Sequence, residues 1–248
     1  MSDLGSRIAT LRAMRRNQLV RLRQNCESRD ADENGSATSS VIGTLRFLAV
    51  ADYILDGDVR ALRYGLVEAA SLRRRLFDRY DAGESISPSY VSMLAYKALF
   101  NALAAGSLDE SRALAERMGG RASIEDEYDR PFDIAMGYAL KSVVIGDDNA
   151  ALEGIAALGR VCEDQENSDY IGYPGVLGAI VRGDPEMGES ALDAVIAGHK
   201  RQMKGAGLFR DTEDELLCVW GVGLVNLARM RGLALRPREP LIPAAVLI

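Results

Sequence analysis

One imidazole, His199, serves all 248 residues. Any Ser-His-Asp triad must therefore use it, and a metal site with two histidines is excluded. The cysteines, Cys26, Cys162 and Cys218, are three in number, far apart and in no C-x-x-C spacing. They read as reduced thiols in a reducing compartment, with neither a zinc site nor a disulfide framework. His199 lies in Ala197-Gly198-His199-Lys200-Arg201, late in a helix expected to start at Asp184, where the helix dipole alone favours a cation. A general base also needs a nucleophile and an orienting partner, which the linear sequence does not place beside it. Trp220 has Leu217, Leu224 and Leu227 at helical spacing, the setting of a core anchor.

Carboxylates are the more abundant chemical groups. They cluster at Glu125-Asp126-Glu127 with Asp129, at Glu163-Asp164 with Glu166 and Asp169, and at Asp211 with Glu213, Asp214 and Glu215. A metal or acid/base site would need carboxylates converging from different helices, and the sequence has no Glu-x-x-His. In loops and first helical turns a carboxylate complements the helix dipole without further function. The functional alternative is an acidic surface that steers and docks a basic protein, with Glu125, Asp126, Glu127, Asp129, Glu163, Asp164, Glu166, Asp211, Glu213 and Asp214 as its residues. Gly221-x-Gly223 lacks the third glycine and the preceding strand of a dinucleotide motif, and no P-loop or G-x-S-x-G occurs. No catalytic residue, metal or cofactor is expected.

Positive charge gathers at the other end. Residues 1–80 carry 14 Lys/Arg against 10 Asp/Glu, and the remaining residues carry 16 against 26, within a net charge of -6. The N-terminal helix sets Ile8, Leu11, Leu19 and Leu22 near one face, with Arg7, Arg12, Arg15, Arg16, Arg21 and Arg23 elsewhere. Such a helix can lie on an anionic membrane or on nucleic acid. The expectation is instead a surface helix that packs its stripe on the body and solvates its arginines, because the acidic remainder repels phosphates. Arg73-Arg74-Arg75 point in three directions on a helix and cannot form one clamp. Neither nucleic acid nor membrane is expected as a partner.

The elements that must position these groups are helices. Ala and Leu recur at spacings of three and four, and alternating strand signals are nearly absent, so the fold class is all-α. Ser107 with Glu110 and Thr212 with Glu215 read as capping boxes; Ser87-Pro88 and Asp184-Pro185 place proline at a first helical position. A glycine stop followed by a polar cap recurs at Gly57-Asp58, Gly106-Ser107, Gly146-Asp147 and Gly183-Asp184. This predicts a stack of antiparallel helical hairpins, either degenerate and tetratricopeptide- or HEAT-like or an irregular helical bundle. Residues 1–40 are expected as a basic helix followed by a mobile polar loop from Cys26 to Ser40, and 41–234 as the hairpin domain. The Pro-rich apolar tail, 235–248, should fold back onto the helices. The N-terminus lacks the apolar core of a secretory signal, and the nearly uncharged stretch Leu216 to Ala228 is too short to span a bilayer; a cytoplasmic protein is expected.

The last third carries Gly198-His199-Lys200-Arg201, a polar turn up to Asp211, then Leu216-Leu217 and Trp220. Leu227-Ala228-Arg229, Arg231-Gly232-Leu233 and Pro240-Leu241-Ile242-Pro243 follow. Together they resemble the immunity protein 49 family of bacterial polymorphic toxin systems, with Leu241 standing where an aromatic residue is expected. The resemblance implies an all-α antitoxin, not an enzyme, which binds a cognate toxin and blocks its active site, a cleft expected to be basic. It implies structural roles for His199, Lys200, Arg201, Trp220, Arg231, Gly232 and Pro243 and transfers no catalytic residue. Two alternatives stand beside it: a helical-repeat scaffold that binds peptides in a concave groove, and an enzyme built on carboxylates from different hairpins.

Overall fold

Each of the four glycine joints is a helix stop in the computed structural model, which describes residues 3–28 and 30–248. Gly57, Gly106, Gly146 and Gly183 all take left-handed φ values, between 69° and 83°. The next residue caps the following helix: Asp58, Ser107, Asp147 and Asp184 accept from the amides of Ala61, Glu110, Ala150 and Met187. The chain therefore reverses within two residues at each joint.

The helices are α1 (Asp3–Glu27), α2 (Ser36–Asp56), α3 (Val59–Asp81), α4 (Tyr96–Ala104), α5 (Leu108–Arg117) and α6 (Ala122–Tyr128). After them come α7 (Pro131–Ile145), α8 (Asp148–Cys162), α9 (Gly172–Arg182), α10 (Pro185–Gln202) and α11 (Val219–Met230). Among the described residues there is no strand, and the fold is all-α. The hairpins are α2–α3, α4–α5, α7–α8 and α9–α10, with α1 laid along α2. They close around α11, whose residues Val219 to Ala228 are all buried and which packs on α4 and α9. Of the two expected arrangements, this is the irregular bundle.

Glycines in α11 allow that closure. A Cβ at Gly223 would meet the Phe100 carbonyl at 3.1 Å, and one at Gly221 would meet Ile242 at 2.7 Å. Close approach thus offsets their cost of about 1 kcal/mol each in a helix interior. Trp220 stacks on Phe100 at 5.2 Å and meets the edges of Tyr96, Phe209 and Tyr173 within 6.0 Å. It is the anchor its spacing predicted.

Three local expectations need correction. The stretch Cys26 to Ser40 is not one loop: Cys26 and Glu27 end α1, Ser36 begins α2, and the short turn between them is tied down by Asp32. Asp32 is buried, accepts from the Thr38 amide at 2.9 Å, and pairs with Arg79 at 2.6 Å. α2 therefore crosses the boundary expected at residue 40. Thr212 and Ser87-Pro88 start short 3-10 turns, Glu213–Glu215 and Pro88–Val91, in place of α-helices. After Thr212 the Cys218 amide is drawn 2.9 Å from the Leu241 carbonyl of the tail, and α11 starts only after that contact. The tail does fold back, with Ile242, Val246 and Leu247 buried.

α2 is long and apolar enough to cross a membrane by length and composition, yet half of its apolar window is buried in the bundle. Val41, Ile42, Leu45, Leu48 and Val50 pack there.

Candidate functional site

The three acidic clusters divide into inward and outward members. Glu125 is buried, where it accepts from the Tyr138 hydroxyl at 3.1 Å and from the Arg121 amide at 3.0 Å. Asp129 caps the turn Met93–Ala95 by accepting from the amides of Met93 at 2.7 Å and Leu94 at 3.3 Å. Burial nevertheless pushes its carboxyl above the usual carboxylate range. Asp126 and Glu127, between them, are exposed. The expectation of one acidic docking patch at 125–129 thus fails for Glu125 and Asp129, because each is taken up by backbone and side-chain donors of its own fold.

The same holds for the third cluster. Asp211 is exposed and pairs with Arg7 of α1 at 2.9 Å. Glu213 and Asp214 are buried against Arg46 of α2, whose Nη2 reaches both Asp214 carboxylate oxygens at 2.6 Å while Nη1 donates to Glu213. Burial pulls the Arg46 guanidinium down, and the two carboxylates more than reverse this. Burial raises the Glu213 carboxyl despite Arg46. A charge triad of this kind fixes the loop 203–218 to α2 and leaves neither Glu213 nor Asp214 facing outward.

His199 completes that assembly. Its Nε2 donates to the Asp214 carbonyl at 2.7 Å, since a carbonyl only accepts, and its ring stacks on Phe209 at 4.3 Å. Nδ1 is buried without a partner among the described residues. Burial lowers the imidazole's pKa, and the Asp214 carbonyl only partly opposes it. Two of the thiols are also held protonated by burial, Cys162 pushed up to about 11 and Cys218 to about 12. A neutral, enclosed imidazole and thiols of this kind lack the activated nucleophile that covalent chemistry needs.

The other positions of the resemblance also hold the fold. Lys200 pairs with Glu239 at 2.8 Å, Arg201 with Asp169, and Arg231 with Asp148 at 2.6 Å. Gly232 ends α11 with φ 81°, and Pro243 leads into the 3-10 turn Ala244–Val246. Gly198 is required sterically, since a Cβ there would stand 1.8 Å from the Asp169 carbonyl.

The middle cluster is the one that stays outward as a group. Residues 147–193 carry eleven carboxylates against two arginines, Arg160 and Arg182. Asp148 and Asp169 are paired, and Asp147 and Asp184 cap helices. Glu153, Glu163, Asp164, Glu166, Glu186, Glu189 and Asp193 have no ion pair among the described residues, and all but Glu189 are exposed. Glu163, Asp164 and Glu166 surround the turn Gln165–Tyr170, and Ile171 at its end is 44% exposed. Sequence reasoning found the carboxylates here but not the apolar residue between them.

Among the described residues no group of three or more His, Cys, Asp or Glu converges as metal ligands would. No family model, curated protein or solved structure matches the chain.

Proposed function

We propose that this protein works by binding another protein, as an immunity protein that caps the basic active-site cleft of a cognate toxin in the cytoplasm. The observation that carries the reading is the face built by α8, α9 and α10. There Glu163, Asp164 and Glu166 stand exposed without ion pairs at the turn that Ile171 follows. An exposed apolar residue close in the chain to uncompensated carboxylates has the make-up of an interface anchor with a steering rim. The buried assignments of His199, Glu213 and Asp214 support a non-catalytic role, because the groups best able to do chemistry serve packing instead.

The test is co-expression with the product of the neighbouring gene, pull-down, and calorimetry of the complex. The expected result is a one-to-one complex of roughly nanomolar affinity that rescues growth from the neighbour's toxicity. Reversing Glu163, Asp164 and Glu166 to Lys should slow association at low salt by about tenfold or more, and Ile171→Ala should speed dissociation. A complex unaffected by all four changes would remove this face from the interface. Absence of any complex with the neighbour would overturn the immunity reading.

A further inference from the structure

α1 carries six arginines, and the body captures four of them. Arg7 meets Asp211, Arg12 meets Asp52 and Asp56, Arg16 shares Asp52, and Arg23 meets Glu68. The expectation that these arginines are merely solvated is therefore corrected for four. Arg15 and Arg21 have no carboxylate among the described residues, and both line one open groove of about 690 Å³ between α1 and α2. They lie six positions apart, about 9 Å along the helix axis.

Gly43 stands in the interior of α2 and lines this groove. A helical glycine costs about 1 kcal/mol relative to alanine. Elsewhere in the fold packing requires it: a Cβ at Gly65 would stand 2.8 Å from Ala49, and one at Gly137 2.5 Å from Met93. At Gly43 nothing lies within 4 Å, so packing within the chain gives no reason for the glycine. Gly159 of α8 is equally open, so Gly43 gains its meaning from its neighbours. The next residue, Thr44, is fully buried, lines the same groove, and has a hydroxyl without a partner. A helical threonine ordinarily returns that hydroxyl to the carbonyl four residues back.

We propose that the α1–α2 groove binds a phosphate-bearing ligand. Two uncompensated guanidiniums supply forked donors, and the side-chain amides of Asn17 and Gln18 add neutral donors along the same groove. That donor set suits the several acceptor oxygens and multiple charge of phosphate. The absent side chain at Gly43 leaves the ligand room, and the volume lies within the range of small-molecule sites. The site is independent of the acidic face, on different helices and of opposite charge.

The probe is sodium pyrophosphate titrated calorimetrically into the full chain at low salt, with sedimentation of phosphatidylglycerol vesicles as a parallel arm. Saturation below roughly 1 mM is expected, weakened at least about tenfold in Arg15→Gln/Arg21→Gln. That variant should keep its melting temperature, because neither arginine holds an ion pair. Gly43→Leu should raise the melting temperature and abolish binding, which separates a filled groove from a failed fold. Vesicle binding lost in the same variants would assign the phosphate to a lipid head group; pyrophosphate saturation without vesicle binding would assign it to a soluble ligand. The proposal is overturned if neither probe binds, if binding survives both variants, or if a polyglutamate peptide competes as well as pyrophosphate does.

Discussion

The side-chain carbonyl of Asn226 accepts the backbone amide of Ile248 at 3.1 Å, while its amide donates to the carbonyls of Leu103 and Ala104 at 3.1 and 3.0 Å. One fully buried residue of α11 thus ties the last turn of α4 to the tail. Asn226→Ala would leave backbone groups on both sides without partners in the core. Equilibrium urea unfolding should show a loss of about 3 kcal/mol, and limited proteolysis should cut first within 241–248. Equal protease resistance in the variant would show that the apolar contacts alone hold the tail.

Gly106 makes the same joint from the other side. A Cβ there would stand 2.2 Å from Cγ2 of Ile248, and its φ is 77°. Gly57 has a similar φ of 69° but nothing within 4 Å of a Cβ. Gly57→Ala should therefore cost only the left-handed backbone penalty, about 1 kcal/mol. Gly106→Ala should cost distinctly more and release the tail as Asn226→Ala does. Thermal unfolding of the two variants side by side measures the difference, and equal losses would mean that Ile248 yields without consequence.

The hairpins were legible because each joint is a local device: a glycine for positive φ and a cap one residue later. Trp220 and the folded-back tail were legible too, since bulk and apolarity leave few places to go. The turn at Asp32 was not, because its partner Arg79 lies 47 residues away and nothing local announces it. The inward turn of Glu125, Asp129, Glu213 and Asp214 was hidden for the same reason. Clustering in sequence gave these carboxylates the look of a surface, whereas tertiary donors decide which side each one faces. One signal was available: Arg46 interrupts the apolar run Leu45-Arg46-Phe47-Leu48, and a charge in such a run implies a buried partner.

That partner set predicts how Arg46 behaves when truncated. Arg46→Ala would leave Glu213 and Asp214 buried without a cation, a loss of about 3–5 kcal/mol near neutral pH. Burial already raises the Glu213 carboxyl, and removing Arg46 would raise it further. In the variant, protonation near pH 4.5 relieves the stranded charge, so the gap from the parent should narrow there. Denaturant midpoints of both proteins at pH 7 and pH 4.5 check this. A gap that stays constant or widens on acidification would mean that the pair contributes little.

His199 gives a pH dependence of defined sign. Burial depresses its pKa in the folded chain, and Nδ1 has no acceptor for the proton it would gain. Below about pH 6.5 the unfolded chain binds that proton while the folded chain does not. The stabilisation is therefore present above that pH and is lost as pH falls toward the depressed folded value, by at most about 1.4 kcal/mol per pH unit. Glu213, raised by burial, acts in the opposite sense, its share being lost as pH rises above its unfolded value. Comparing the parent with His199→Phe cancels that contribution. Phenylalanine keeps a ring on Phe209 but strands the Asp214 carbonyl, so the variant should be less stable at pH 7.5 by about 1–3 kcal/mol. Its stability should fall less steeply between pH 6.5 and 5, and the two curves should converge. With one histidine in the chain the difference belongs to this residue alone, and parallel curves across that range would show that His199 titrates folded as it does unfolded.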